Sequence, residues 1–124
     1  MKKMTYMVDP DIAFCERISS LLSSSSLATK TFGRAKDFLE QSDSMEPDSL
    51  LILSSNIPDM DTVEVMQELK KRGNDIPVIV VGEDDDVPQA VKFMRAGAVD
   101  FIWKPLANQK LKALIEKLGV SINK

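Results

Sequence analysis

Four short polar clusters in this chain carry the side chains that chemistry would need: Asp9-Pro10-Asp11, Ser54-Ser55-Asn56 with Asp59 and Asp61 close behind, Glu83-Asp84-Asp85-Asp86, and Lys104-Pro105. Carboxylates in such number suit a divalent cation bound through oxygen. A serine such as Ser54 is a weak nucleophile unless a base activates it. The chain has no histidine, so only Asp9 or Asp11 is available for that task, and roles that rest on imidazole are excluded. One cysteine, Cys15, cannot assemble a zinc ligand set without histidine. It reads as a small buried hydrophobe on a helix rather than a reactive thiol. With no intrachain disulfide available, the chain fits a reducing cytoplasm.

Five apolar runs position these clusters: Met4-Val8, Leu27-Phe32, Leu50-Leu53, Val78-Val81 and Phe101-Trp103. The second is interrupted by Thr29, Lys30 and Thr31 and reads as a half-exposed edge strand. The third and fourth are nearly unbroken, as strands covered on both faces should be. Helical periodicity fills the gaps. Ile12, Ile18, Leu21 and Leu22 make one stripe behind Asp11, which is placed to cap it. Ala35, Phe38 and Leu39 make a second, ending before the loop Ser42-Pro47. Val63, Val65, Met66 and Leu69 make a third, stopped near Gly73. Val87, Ala90, Val91 and Met94 make a fourth, stopped by Gly97. Leu111, Leu114, Ile115 and Leu118 make a fifth, ending at Gly119. Ser23-Ser26 is a turn.

A strand-helix unit repeated five times predicts an α/β fold: a flavodoxin-like (βα)5 three-layer sandwich around a parallel five-stranded sheet. Right-handed crossovers and the strand order 2-1-3-4-5 are the economical arrangement. Every polar cluster then follows a strand, at the carboxyl end where function gathers in such sheets. A length of 124 residues suits one domain, 1-124, burying about two thirds of its surface. A net charge of −3 gives no electrostatic basis for direct nucleic-acid binding, and Lys70-Lys71-Arg72 reads as the solvated end of the third helix. After Met1-Lys2-Lys3 the apolar stretch before Asp9 is too short for a signal peptide or membrane span.

Three stretches resemble the receiver domain of bacterial response regulators: Asn56-Ile57-Pro58-Asp59-Met60-Asp61, Ile76-Pro77-Val78-Ile79-Val80-Val81, and Ala96-Gly97-Ala98-Val99-Asp100-Phe101-Ile102-Trp103-Lys104-Pro105-Leu106. The likeness runs from Met4 to about Leu118. It implies a phosphorylation switch with two adjacent acids holding Mg²⁺, an acceptor aspartate after the third strand, a hydroxyl residue after the fourth, and a lysine after the fifth whose bond to proline is usually cis. Such chemistry needs a carboxylate nucleophile, a cation to neutralise charge in transit and fixed donors.

Carried over position by position, Asp9 matches the first acid but Pro10 replaces the second. Ser54 stands at the acceptor position and Gly82 at the hydroxyl position, while Phe101 fills a position commonly aromatic and Lys104 remains. Asp9 and Lys104 sum to zero charge, which predicts no metal; Mg²⁺, if bound at all, would fall on Asp9 and Asp11. The expected arrangement is an ion pair between Lys104 and Asp9, helped by Ser54. The run Glu83-Asp86 reads as a solvated cap of the fourth helix rather than a metal site.

The resemblance places partner binding on the face of the fourth helix, fifth strand and fifth helix. There Phe93 and Trp103 are candidate anchors weighed against a core role, with Lys92, Arg95, Lys110 and Lys112 around them. The reading is a non-enzymatic, cytoplasmic pseudo-receiver that works without phosphorylation. It would regulate through a protein partner, an attached output domain or a homodimer, as the N-terminal part of a larger transcription regulator. The stretch Asp100-Phe101-Ile102 is similar to receivers joined to enhancer-binding activators. One alternative is a working receiver that accepts phosphate on Asp11, Asp59 or Asp61. Another is a flavodoxin-like small-ligand binder, for which Ser54-Ser55-Asn56 could hold one anion. Asp9-Pro10-Asp11 presents the wrong charge for a phosphate cradle.

Overall fold

A computed structural model of the chain describes residues 4–23, 28–45 and 48–123, with the backbone alone given for 106, 115, 116 and 118–123. Met1-Lys2-Lys3, most of the Ser23-Ser26 turn, Leu27, Pro47 and the side chains of Leu106, Ile115 and Leu118 lie outside the described residues. The five strands are β1 (Met4–Val8), β2 (Ala28–Phe32), β3 (Leu50–Ser54), β4 (Val78–Gly82) and β5 (Asp100–Trp103). The five helices are α1 (Ile12–Ser23), α2 (Ala35–Gln41), α3 (Thr62–Lys71), α4 (Val87–Arg95) and α5 (Ala107–Asn123). Short 3-10 turns follow α2 and precede α5.

All strands are parallel, in the order β2-β1-β3-β4-β5. This is the predicted flavodoxin-like topology. Successive side chains of a strand face opposite ways, so β3 and β4 feed two cores. Leu51, Leu53, Val78 and Val80 face α2, α3 and α4, meeting Phe38, Leu39, Val65, Met66, Leu69 and Phe93. Leu50, Ile52, Ile79 and Val81 face α1 and α5, meeting Phe14, Ile18, Leu22 and Leu111. Every residue of β3 and β4 is buried, whereas β2 is open at Lys30 and Thr31, as its broken pattern predicted. Both strand ends that carry Ser54 and Gly82 are therefore clamped from above and below.

Several helix faces differ from expectation. Ile12 is exposed at the mouth of α1 and Phe14 is buried instead, beside Cys15, which is buried as expected. On α4 the periodic stripe Val87, Val91 and Met94 turns outward, and Phe93 is the residue the helix buries. Phe93 stacks on Phe101 with ring centroids 5.8 Å apart and planes 17° apart. It is a core side chain, not a surface anchor; a ring that meets a ring of β5 gains more by burial than three aliphatic groups with nothing opposite them. Gly97 (φ 108°) and Gly73 (φ 72°) end α4 and α3 in the left-handed region that favours glycine. Gly119 does not end α5, which continues to Asn123 because the helical backbone tolerates a glycine at about 1 kcal/mol.

The basic end of α3 is not simply solvated. Arg72 Nη1 donates to Leu39 O (2.7 Å) and Ser42 Oγ (3.0 Å), and its Nε pairs with Glu68 at 2.9 Å. Lys70 Nζ donates to Ala96 O at 2.9 Å. These contacts staple α3 to the ends of α2 and α4.

Candidate functional site

Asp9, Ser54, Gly82 and Trp103 end four adjoining strands or follow them directly, so the sheet brings together what the sequence spaces far apart. Asp9 is buried. Its Oδ1 accepts the Asp11 amide at 2.9 Å, and its Oδ2 lies 3.0 Å from Lys104 Nζ, outside hydrogen-bonding angles. That contact is an ion pair rather than a directed bond. Lys104 also lies 3.5 Å from Asp11 Oδ2 and 3.9 Å from Glu83 Oε1, with its ammonium 4.8 Å from the centroid of the Phe14 ring. Glu83 is largely exposed and adds little alone.

The expected Lys104–Asp9 pair thus forms, but two expectations about it are corrected. Three carboxylates, not one, surround the ammonium, so the local charge is −2 rather than zero. Ser54 gives no help either. Its hydroxyl accepts the Asn56 amide at 3.0 Å and donates to Asn56 O at 3.2 Å, closing a tight local turn. Thr62 Oγ1 donates to Ser54 O at 2.8 Å and ties that turn to the start of α3. The Lys104–Pro105 bond is trans, since no described peptide bond is cis. A trans bond lets Lys104–Leu106 form the 3-10 turn that enters α5, with Pro105 near its start, where a missing amide hydrogen matters little.

Asp11 caps α1, accepting the Phe14 amide at 3.1 Å. That bond, against a smaller opposing effect of burial, holds its carboxyl below the ordinary value, with Lys104 assisting. Asp86 caps α4 by accepting the Gln89 amide at 3.4 Å, the role read for the acidic run. Burial, followed by the charges of Asp9 and Asp11, pushes the Cys15 thiol up to about 11, so it stays protonated and inert at neutral pH. Asn56, Asp61, Pro10 and Pro105 are exposed around the rim.

Asp59 lies outside this cluster. Its carboxylate accepts the Ala35 and Lys36 amides at 2.9 and 3.0 Å, with Arg34 Nε 3.9 Å away, and so caps α2 from the β3–α3 loop. Burial pushes its carboxyl upward, but the Lys36 and Ala35 amides, its own amide and Arg34 outweigh that and hold it below the ordinary carboxylate value. A depressed carboxyl stabilises the fold above its unfolded value and loses that contribution as pH falls through the folded one. Wild-type protein should therefore lose about 0.5–2 kcal/mol of cap stability on acidification below the ordinary carboxylate range. Asp59→Asn should lack that component. Melting temperature followed against pH for both proteins reads it, and parallel curves would remove the cap from the account.

Sequence reasoning missed three members of the pocket. Phe14 lies three residues past Asp11, on the same turn, a spacing that offered a signal. Glu83 reached the lysine without one. Trp103 is half-buried, and its Nε1 donates to Glu83 O at 2.9 Å, which fixes the β4–α4 loop over the pocket. Gly82 completes the floor. A Cβ built there would lie 2.9 Å from Phe101 Cζ and 2.9 Å from Ser55 Oγ, so the Phe101 ring fills the space that a larger residue would need.

A parallel sheet in this order, with a lysine after β5 facing an acid after β1, is the architecture of a signalling receiver. The response regulator receiver domain pattern matches residues 6–116, and the chain belongs to that family. It is 37% identical over 110 residues to the response regulator protein TodT of Pseudomonas putida, a match covering 89% of this chain and 48% of that protein. It is 30% identical over 111 residues to the transcriptional regulatory protein FixJ of Bradyrhizobium diazoefficiens, covering 90% and 54%. The crystal structure of a response regulator receiver protein from Pseudoalteromonas atlantica superposes with a TM-score of 0.85 at 30% identity, covering 98% and 99% of the two chains. The chain spans about half the length of the curated relatives it matches.

The residues present do not fit the divalent ion that receivers use. The buried carboxylate oxygen that would ligate it, Asp9 Oδ2, already faces an ammonium at 3.0 Å. Pro10 offers no carboxylate beside it, and the Ser54 hydroxyl is engaged by Asn56.

Proposed function

We propose that this receiver domain signals without phosphorylation, as a protein-interaction module within a longer cytoplasmic regulator of transcription, and catalyses no reaction of its own. One observation carries the reading. At the carboxyl end of β3, where a receiver's acceptor stands, a serine hydroxyl is folded into its own loop while the lysine is paired elsewhere. A serine so placed lacks the nucleophilicity of a carboxylate, and its hydroxyl is engaged by Asn56. Asp59 is engaged on α2, and Asp61 is exposed on the rim, which weighs against either as a surrogate acceptor. Incubation with acetyl phosphate and Mg²⁺, read by intact mass, should leave the protein unchanged. A gain of one phosphoryl group on any residue would overturn the proposal.

The contact surface supported by the structure is α4 itself. Val87, Val91 and Met94 are exposed along it, with acids at its N-terminal end and Lys92 and Arg95 at its C-terminal end. Two such helices set antiparallel would bring acids against bases about a two-fold axis, so the surface complements itself. Trp103 borders this face as a half-buried residue. Sedimentation of the domain should show concentration-dependent dimer that Val91→Asp abolishes. A wild-type domain that stays monomeric would leave the output domain or another protein as the partner.

A further inference from the structure

We infer that Trp103 is a latch that sets the position of α4 and of the contact surface along it; the functional meaning of the latch rests on that surface being used. Helix α4 is lightly packed, for Phe93 is the one side chain it buries. Its C-terminal half is fixed twice, by the stack of Phe93 on Phe101 at 5.8 Å and by Lys70 Nζ donating to Ala96 O at 2.9 Å. Its N-terminal half has no such anchor. Val87 and Pro88 are exposed and Gln89 and Ala90 only half-buried, so packing does not decide where that half lies. The β4–α4 loop decides it.

Four residues, Glu83 to Asp86, make that loop. Asp86 ties its far end to the helix by accepting the Gln89 amide, and Asp84 and Asp85 are exposed. The near end is held at Glu83, whose carbonyl accepts the Trp103 indole N–H at 2.9 Å. The Glu83 carboxylate, 77% exposed and 3.9 Å from Lys104, adds little. Side chains two apart on a strand share a face, so Trp103 looks from β5 to the same side as Phe101. One ring holds α4 in its C-terminal half, and the other holds the loop that feeds its N-terminal half. Losing the indole bond frees the loop and lets the start of α4, with Val87 and Val91, swing about Phe93. Trp103 is itself half-buried at the border of that surface, so a partner seated on α4 closes over the latch.

Trp103→Phe tests this, since phenylalanine keeps an aromatic ring and removes the donor. Amide hydrogen exchange, followed residue by residue by nuclear magnetic resonance, reads the result. Amides of residues 83–91 should exchange about two- to tenfold faster in Trp103→Phe, the range for one lost hydrogen bond in a locally opening segment. Amides of β3 and β4 should keep their wild-type rates. Unchanged rates over 83–91 would overturn the inference. So would an equal rise in β3 and β4, because Trp103 would then serve the stability of the whole domain rather than the placing of α4.

A second measurement reads the same bond from the other end. The chain has one tryptophan, so its single indole N–H resonance reports the latch directly. Coupling between two sites is reciprocal, so covering α4 must tighten the latch. Exchange of the indole N–H should slow as rising concentration brings the wild type to dimer, and stay constant in Val91→Asp. An unchanged rate in a protein that does dimerise would overturn the coupling. A wild type that stays monomeric would remove the dimer alone, and the Trp103→Phe amides then decide the latch.

Discussion

Asp9→Ala should destabilise the domain by about 3–5 kcal/mol, the usual effect of breaking a buried ion pair from one side. The variant leaves Lys104 buried with only Asp11 and the exposed Glu83 near its ammonium, and it removes the acceptor of the Asp11 amide. Lys104→Met should be costly for the complementary reason, because it strands a carboxylate whose side chain is 1% exposed. Removing both should cost less than the two single losses together by about 0.5–3 kcal/mol, since neither charge is then left alone. Urea unfolding of the four proteins measures the coupling. Strict additivity would mean that Asp9 and Lys104 sit together without acting on each other.

The second large effect lies at Gly82. It has no positive φ, and replacing a glycine by alanine at such a position ordinarily stabilises by about 0.4–1 kcal/mol. Here the added Cβ would meet Phe101 Cζ at 2.9 Å, Phe101 Cε1 at 3.1 Å and Ser55 Oγ at 2.9 Å. Ser55 can rotate, but the Phe101 ring is held by its stack on Phe93. Overpacking should win, with Gly82→Thr losing about 1–3 kcal/mol and Gly82→Ala somewhat less. Combining Gly82→Thr with Phe101→Ala should recover part of the loss, because the truncated side chain vacates the contested space. Thermal or urea unfolding decides it; a Gly82→Thr protein as stable as wild type would show that the ring yields freely.

These two sites show what could be read from sequence. Unbroken runs in β3 and β4 and the polar interruption of β2 report burial by residue type alone, so strand order and edge were legible. Asp11 and Asp86 were legible as caps because a cap lies next to the helix it serves. Asp59 was not, for it caps α2 from a loop 24 residues away, and no local pattern records that distance. The outward stripe of α4 misled for a related reason. Periodicity marks an apolar face but not whether anything covers it, and Phe93 found a ring on β5 instead. In the pocket, residue types placed Asp9 and Lys104 at strand ends. The turn of Ser54 toward Asn56 and the reach of Glu83 to the ammonium depend on loop conformation, which composition does not encode.

Strand β2 is bonded on one side only, to β1, so a row of its backbone groups faces outward. An open edge of that kind is a template on which another chain can add a strand, the first step towards aggregation. Lys30 stands exposed at its middle, with its ammonium over the Phe32 ring at 5.8 Å and hydrogen-bonded to Gln41 of α2. A charge anchored there makes strand addition costly, because the incoming chain would have to desolvate it. The residue that broke the apolar pattern of β2 is thereby one that weighs against strand addition at this edge.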